Sequence, residues 1–344
     1  MSRSDETRLA VAAEFIVREF MCTKRGEQLV ITADTATDPR AVQALLEAAK
    51  LAGARAAVLT IPQLPYQGAL ADPYVAEPLG AAVKSCDVWL DITFPYLAGS
   101  KVHADAMAHK RARCLMFHDL DAGGIARLFA GVSFDQLFDL QQAVDGVVNR
   151  SVGRTCRVTN DAGTDVSFTI GRPATRKIRR IDQPGTYTPP GSAVIYPEIE
   201  SVRGRIFVDA TFHEYFTLLQ SRIQIDVDGQ IRKVSGGGNE LRVLDRALKR
   251  AGGGKYGSII HFSHGFHPAA RFHGGSFIES IRAAGNNAIG MGVPWWEPGG
   301  GENHPDGVVT MQSMWIDGEP IVAGGALVLP ELARLEAVLE PLAA

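Results

Sequence analysis

The chain predicts an α/β N-terminal domain built on a parallel sheet, followed by a β-rich α+β C-terminal domain. Over the first third, short apolar runs alternate with helical periodicity, the pattern of parallel strands covered on both faces. After about residue 150 the texture changes to β segments bounded by Gly, Asn or Asp turns. At 344 residues the chain is also long for a single core, so the expected domains are 1–150 and 151–344.

Taken in order, a helix is expected around 7–20, then a strand at 28–33 (QLVITA), a helix at 39–51 and a strand at 56–61 (AAVLTI). The alternation continues with a helix at 79–85, a strand at 88–93 (VWLDIT), a helix at 103–112 and a strand at 113–117. Beyond the change of texture, VSFTI, GSAVIYP, GRIFVDATF and RIQIDVDGQI read as strands, with Asp228-Gly229 as the clearest hairpin turn. Glycine clusters on both sides confine one helix to 240–251.

Composition excludes several function classes. Hydrophobic residues make up 46% and charged residues 21%, as in ordinary folded proteins rather than disordered or membrane chains. A formal net charge of -3 gives no basic footprint for nucleic acid, and the one basic run, RKIRR at 176–180, reads as a loop edge. Membrane helices need about 20 apolar residues, and no stretch approaches that. The first twenty residues carry no signal-peptide core, so a cytoplasmic location is expected. Cys22, Cys86, Cys114 and Cys156 are widely spaced, as expected of reduced thiols.

Histidine placement is the main chemical clue. Four of the nine lie within 261–273 (HFSHGFHPAARFH), and another sits in ENHPDGVV. Most single histidines are hydrogen-bonded core or surface residues, so a ligand needs geometry as well as identity. His304-Pro305-Asp306 offers it, because residues two apart in extended chain project to one side. Pro305 favours that extended conformation and biases His304 away from the helical region. His261 ends the apolar run SII and supplies a third donor. Two histidines and a carboxylate on one face of a metal leave the other face open, the arrangement of non-haem iron(II) oxygenases. Three such ligands also serve zinc hydrolases.

Across PPGSAVIYPEIESVRGRIFVDATF, YGSIIHFSHGFHPAARF, NHPDGVV and DGEPIVAGG the chain resembles the 2,5-dihydroxypyridine 5,6-dioxygenase family, which is grouped by sequence with thermophilic metallo-aminopeptidases. The resemblance implies iron(II) held by His261, His304 and Asp306, with dioxygen and a small hydroxylated N-heteroaromatic or related aromatic as substrates. It also implies a homo-oligomer. A metal-dependent aminopeptidase or amidohydrolase is the alternative, and a metal-free small-molecule binder is a third reading. Against the two-metal aminopeptidase pattern, Ser192 and His261 replace acidic ligands, and Ala288 stands near an expected histidine. The dioxygenases also use an N-terminal-domain histidine as acid/base; here its place falls near Tyr96-Leu97. Tyr96 and His103 are therefore the candidates for proton transfer.

His264 is a further catalytic candidate, and His267, Trp295 and Trp296 are candidates for holding the substrate ring. The bland alternatives are turn hydrogen bonds for the two histidines and a core plug for the tryptophan pair, although aromatic residues beside EPGGGEN also describe a lid over a flat ligand. His273 is expected to cap a turn, and His109, His118 and His213 to be structural.

Overall fold

Val30, Trp89 and Cys114 are register partners across three parallel strands, and they belong to one buried cluster with Leu79, Val83 and Ala106. Alternation sends their strand neighbours Ile31, Leu90 and Leu115 to the opposite face, and these too are fully buried. A sheet buried on both faces is what the continuous apolar runs require.

The computed structural model describes residues 3–173, 177–213, 215–294, 305–339 and 341. In the first unit, Met1–Asp135 with Lys177–Pro189, the strands are β1 (Gln28–Asp34), β2 (Arg55–Ile61), β3 (Val88–Asp91) and β4 (Arg113–Met116). Strands β5 (Thr155–Thr159) and β6 (Asp165–Thr169) lie in the other sheet, and β7 (Gly185–Tyr187) rejoins the first. The order is β2-β1-β3-β4-β7, every pair parallel.

The helices of this unit are α1 (Arg3–Glu14), α2 (Pro39–Leu51), α3 (Glu77–Ser85), α4 (Lys101–Ala108) and α5 (Ala122–Ala130). The expected opening helix is present, but its second half, Phe15–Phe20, is π-helical. Helix α2 starts where Asp38 accepts from the Arg40 amide and Pro39 takes the first turn. Its buried stripe Ala41, Leu45, Ala48, Ala49 packs on β1 and β2.

At the C-terminal ends of β1 and β3 two carboxylates brace the following loop. Asp91, 1% exposed, accepts from the hydroxyls of Thr32 (2.8 Å) and Thr93 (2.7 Å) and from the Leu97 amide (3.4 Å). Asp34 accepts from the Phe94 amide at 2.6 Å. Residues 93–97, with a cis Phe94-Pro95 bond, are thereby fixed.

The second unit, Gln136–Arg176 with Pro190–Glu340, opens with most of α6 (Phe134–Arg150). Its strands after β7 are β8 (Ser192–Ile195), β9 (Arg203–Phe212), β10 (Phe216–Asp228), β11 (Gln230–Gly236), β12 (Ser258–Gly265) and β13 (Asn287–Gly292). They continue with β14 (Asp306–Val309), β15 (Ser313–Ile316), β16 (Glu319–Ala323) and β17 (Ala326–Leu327). Helices α7 (Glu240–Ala251), α8 (Phe277–Ser280) and α9 (Pro330–Ala337) are interspersed. Among the described residues the sheet has 12 strands, in the order β17-β16-β15-β5-β6-β9-β14-β13-β12-β8, with β10 pairing β9 and β11.

The Asp228-Gly229 hairpin forms as expected, with Asp228 paired to Gln230 around Gly229. Strand β12 carries an irregularity. It pairs with β13 as far as His261 and with β8 from Phe262 onward, so the sheet forks at that residue. No helix among the described residues is long and apolar enough to cross a membrane.

Candidate metal centre

Four adjacent strands set one row of side chains. His261 of β12 pairs with Gly290 of β13, Gly290 with Asp306 of β14, and Asp306 with Phe212 of β9. Register partners project to the same face, so His261, Asp306 and Phe212 stand in line, with no side chain at 290 between the first two. The consequence is a close approach: His261 Nε2 lies 3.2 Å from Asp306 Oδ1. Both side chains are buried, at 11% and 5% exposure.

Neighbouring contacts hold the row in place. Beyond Val309, the amide and hydroxyl of Thr310 donate to Asp209 Oδ2 at 3.1 and 2.8 Å. At the start of β14, the Met291 amide donates to the Pro305 carbonyl at 2.8 Å. Phe212 stacks flat on Phe277 of α8, with ring centroids 4.3 Å apart and planes 7° from parallel, and Phe216 meets Phe277 edge-on at 5.7 Å. An aromatic wall therefore flanks the carboxylate.

The spacing of the pair suits a shared ion. Ligands bonded at about 2.1 Å and at right angles stand about 3 Å apart, close to the observed gap. An imidazole nitrogen beside a carboxylate oxygen also matches the donor preferences of divalent iron, manganese and zinc. Among the described residues no set of three His, Cys, Asp or Glu side chains is complete enough to hold a metal. His304, the expected third ligand, lies outside the described residues, as do Trp295 and Trp296.

His264 is placed elsewhere. Alternation along β12 puts it on the face of Phe262, which stacks on Phe168 of β6 at 4.2 Å, and not on the face of His261. Its protonation follows from the neighbouring amides. The Ser263 N–H donates to Asn287 Oδ1 (2.7 Å), so Asn287 Nδ2 donates to Gln312 Oε1 (2.7 Å). Gln312 Nε2 therefore donates to the Ser263 carbonyl (2.9 Å) and to His264 Nδ1 (3.0 Å). The ring proton is left on Nε2, which has no acceptor among the described residues. Burial pushes this imidazole down to about 4, so it is neutral near pH 7.

His267 is also fully buried. Gly191, at φ +99, leaves it room: a Cβ there would stand 2.9 Å from His267 Cβ. Its Nδ1 accepts from the Ala269 amide at 3.3 Å, so it serves its own turn. His273 does likewise: Nδ1 accepts from the Gly275 amide (3.0 Å), and Nε2 faces the buried Glu279 at 2.9 Å.

In the first unit, Tyr96 sits on the braced loop after β3, its ring 4.4 Å from that of His118. His118, which follows β4, is 4% exposed. His103 lies on α4 instead, with Nε2 2.8 Å from Thr186 Oγ1, and burial pushes it down to about 4. The basic run at 176–180 ends in ion pairs, Arg179 with Asp135 and Arg180 with Glu19.

Sequence reasoning missed Gly290 and Phe212. The strand alternation in GRIFVDATF and NAIGMG carries the signal for both, but only once the register with Asp306 is known.

The family model for 2,5-dihydroxypyridine 5,6-dioxygenase (NicX) matches residues 15–329. The chain belongs to that family. The resemblance read from the motifs is thereby borne out, and it extends over both units. Among solved structures, the 2,5-dihydroxypyridine dioxygenase from Pseudomonas putida KT2440 is similar, with a TM-score of 0.73 and 20% identity over 97% of this chain and 100% of that one. Wild-type AmpT from Thermus thermophilus aligns with a TM-score of 0.67 and 14% identity, over 94% of this chain and 99% of that one. At such identities the structural likeness shows a shared fold. No curated protein matches the chain. As a member of the NicX dioxygenase family, the chain is a dioxygenase of aromatic catabolism.

Proposed function

We propose that this dioxygenase uses iron(II) to open a hydroxylated N-heteroaromatic ring, of the hydroxypyridine type or a related aromatic, with His261, His304 and Asp306 as the metal ligands. The observation that carries the reading is the 3.2 Å approach of His261 and Asp306 across Gly290. Iron(II) bound there would supply a Lewis-acidic, redox-active centre that acidifies a ring hydroxyl and serves dioxygen.

The chain's own residues do the rest. Asp306 contributes negative charge to the donor set, and His261 binds through Nε2, the atom that already faces the carboxylate. Phe212 and Phe277 keep water from the carboxylate's flank. Two hydroxyls placed para on a ring cannot chelate one ion, so aromatic contacts must hold the ring. Trp295, Trp296 and His267 are proposed for that role, and His264, whose Nδ1 accepts from Gln312 while Nε2 keeps the ring proton, is proposed as a catalytic residue. Tyr96 and His103 are the proton-transfer residues proposed for the first unit.

The deciding experiment is anaerobic loading with iron(II), followed by oxygen uptake against a panel of hydroxypyridines and aminophenols. Stoichiometric oxygen consumption with bleaching of the substrate's ultraviolet band is expected. Amine release by zinc- or manganese-loaded protein without oxygen would instead establish an amidohydrolase or aminopeptidase. Protein that retains no metal and keeps its ligand affinity in chelator would be a binder.

A further inference from the structure

Gly290 is anomalous for its position. It lies inside β13, paired regularly with β14 on one side and, on the other, with His261 just past the register shift in β12; a glycine weakens a strand and marks a bulge or a close approach. It is not one of the positive-φ glycines, so its backbone conformation is open to any residue. Its pairing with Asp306 continues the regular ladder of Asn287, Ala288 and Ile289 with Val309, Val308 and Gly307. Conformation does not demand glycine here, which leaves space as the reason.

The register shows what the space is for. Adjacent strands are about 4.8 Å apart, so β12 and β14 stand roughly 9.6 Å from each other with β13 between them. Side chains on alternate strands are ordinarily kept apart by the side chain of the middle strand. His261 Nε2 and Asp306 Oδ1 are nevertheless 3.2 Å apart, so the two meet above residue 290. Any Cβ at 290 would rise from the same face into the gap they close.

We propose that Gly290 is a positioning residue for the metal centre: the missing side chain lets an imidazole and a carboxylate from non-adjacent strands converge on one ion, and the volume above Gly290 is the seat of that ion. This rests on the metal-site reading under Proposed function and adds a residue that is not itself a ligand. A glycine that served only the strand would leave metal affinity and the separation of the pair unchanged on Gly→Ala, a change that in a regular strand removes unfolded-state entropy and mildly stabilises.

The test compares wild type with Gly290→Ala and Gly290→Val, using cobalt(II) as a spectroscopic probe and iron(II) under anaerobic conditions. Gly290→Ala is expected to weaken cobalt(II) binding about ten- to a hundredfold, the range for changes around metal ligands, and to alter the cobalt visible spectrum. The melting temperature of the metal-free protein should hold or rise slightly. Crystal structures of the metal-free variants should show His261 and Asp306 moved apart, and this readout needs no metal. Wild-type affinity and an unaltered spectrum in Gly290→Ala, or an unchanged separation of the pair, would overturn the proposal. If wild type itself binds neither ion, the metal-site reading fails, and the separation in the metal-free variants alone decides whether Gly290 positions the pair. If Gly290→Val does not fold, Gly290→Ala carries the test.

Discussion

At the scale of single residues, the structure separates histidines by what their nitrogens already do. His264 sits in a closed loop of amide hydrogen bonds fixed by the backbone of Ser263, whereas His261 turns Nε2 toward a carboxylate. Replacing His261 or Asp306 with Ala should abolish metal retention and turnover while leaving the far-ultraviolet circular dichroism unchanged. A variant that keeps both metal and activity would reject the assignment.

His264 gives a second prediction through its proton. Burial lowers its folded value to about 4, so the unfolded chain takes up a proton first as pH falls. Stability is unaffected above the ordinary histidine value near 6.5 and is lost progressively between about 6.5 and 4, by on the order of 3 kcal/mol for this group. Melting temperatures followed across that window should fall, and His264→Leu should flatten the fall. An identical pH profile in the variant would remove His264 as the cause.

At the scale of elements, the 93–97 loop depends on two carboxylates. Asp91→Ala would strip acceptors from two hydroxyls and a backbone amide in a buried site, costing about 2–4 kcal/mol. Hydrogen exchange at Phe94 and Leu97 should accelerate more than exchange in β2. Equal changes in both would show a global effect rather than a loosened loop.

The same scale explains what the sequence could and could not disclose. Strands β1 to β4 and helix α7 were readable because period and glycine punctuation are local signals. The two separate stretches that carry His261 and Asp306 also read as strands, since apolar and β-branched runs are local, and β12 and β14 form there. Strand β7 was not readable, because three residues carry no period. Gly290 and Phe212 were hidden for a different reason: their meaning lies in cross-strand register, and register is set by tertiary pairing. His264 shares a motif with His261 yet stands an odd number of places away, so the pleat turns it to the other face, a placement that shows only once the strand is known.

For the whole molecule, an ion that binds only the folded chain adds stability by mass action, about 2.7 kcal/mol when its free concentration is a hundred times its dissociation constant. Iron(II) or cobalt(II) should therefore raise the melting temperature in a concentration-dependent way, and chelation should reverse the rise. The Asp306→Ala variant should not respond. A response of equal size in that variant would place the bound ion elsewhere.

The fork in the second sheet has a mechanical meaning. A strand that exchanges one neighbour for another at His261 ties two ladders to a single imidazole, β13 on one side and β8 on the other. Whatever grips that ring therefore acts as a rivet at a branch point, and drawing the rivet should slacken both branches together. Faster amide exchange at Ala193 and Ile195 as well as at Gly290, after the ion is stripped, would be its trace.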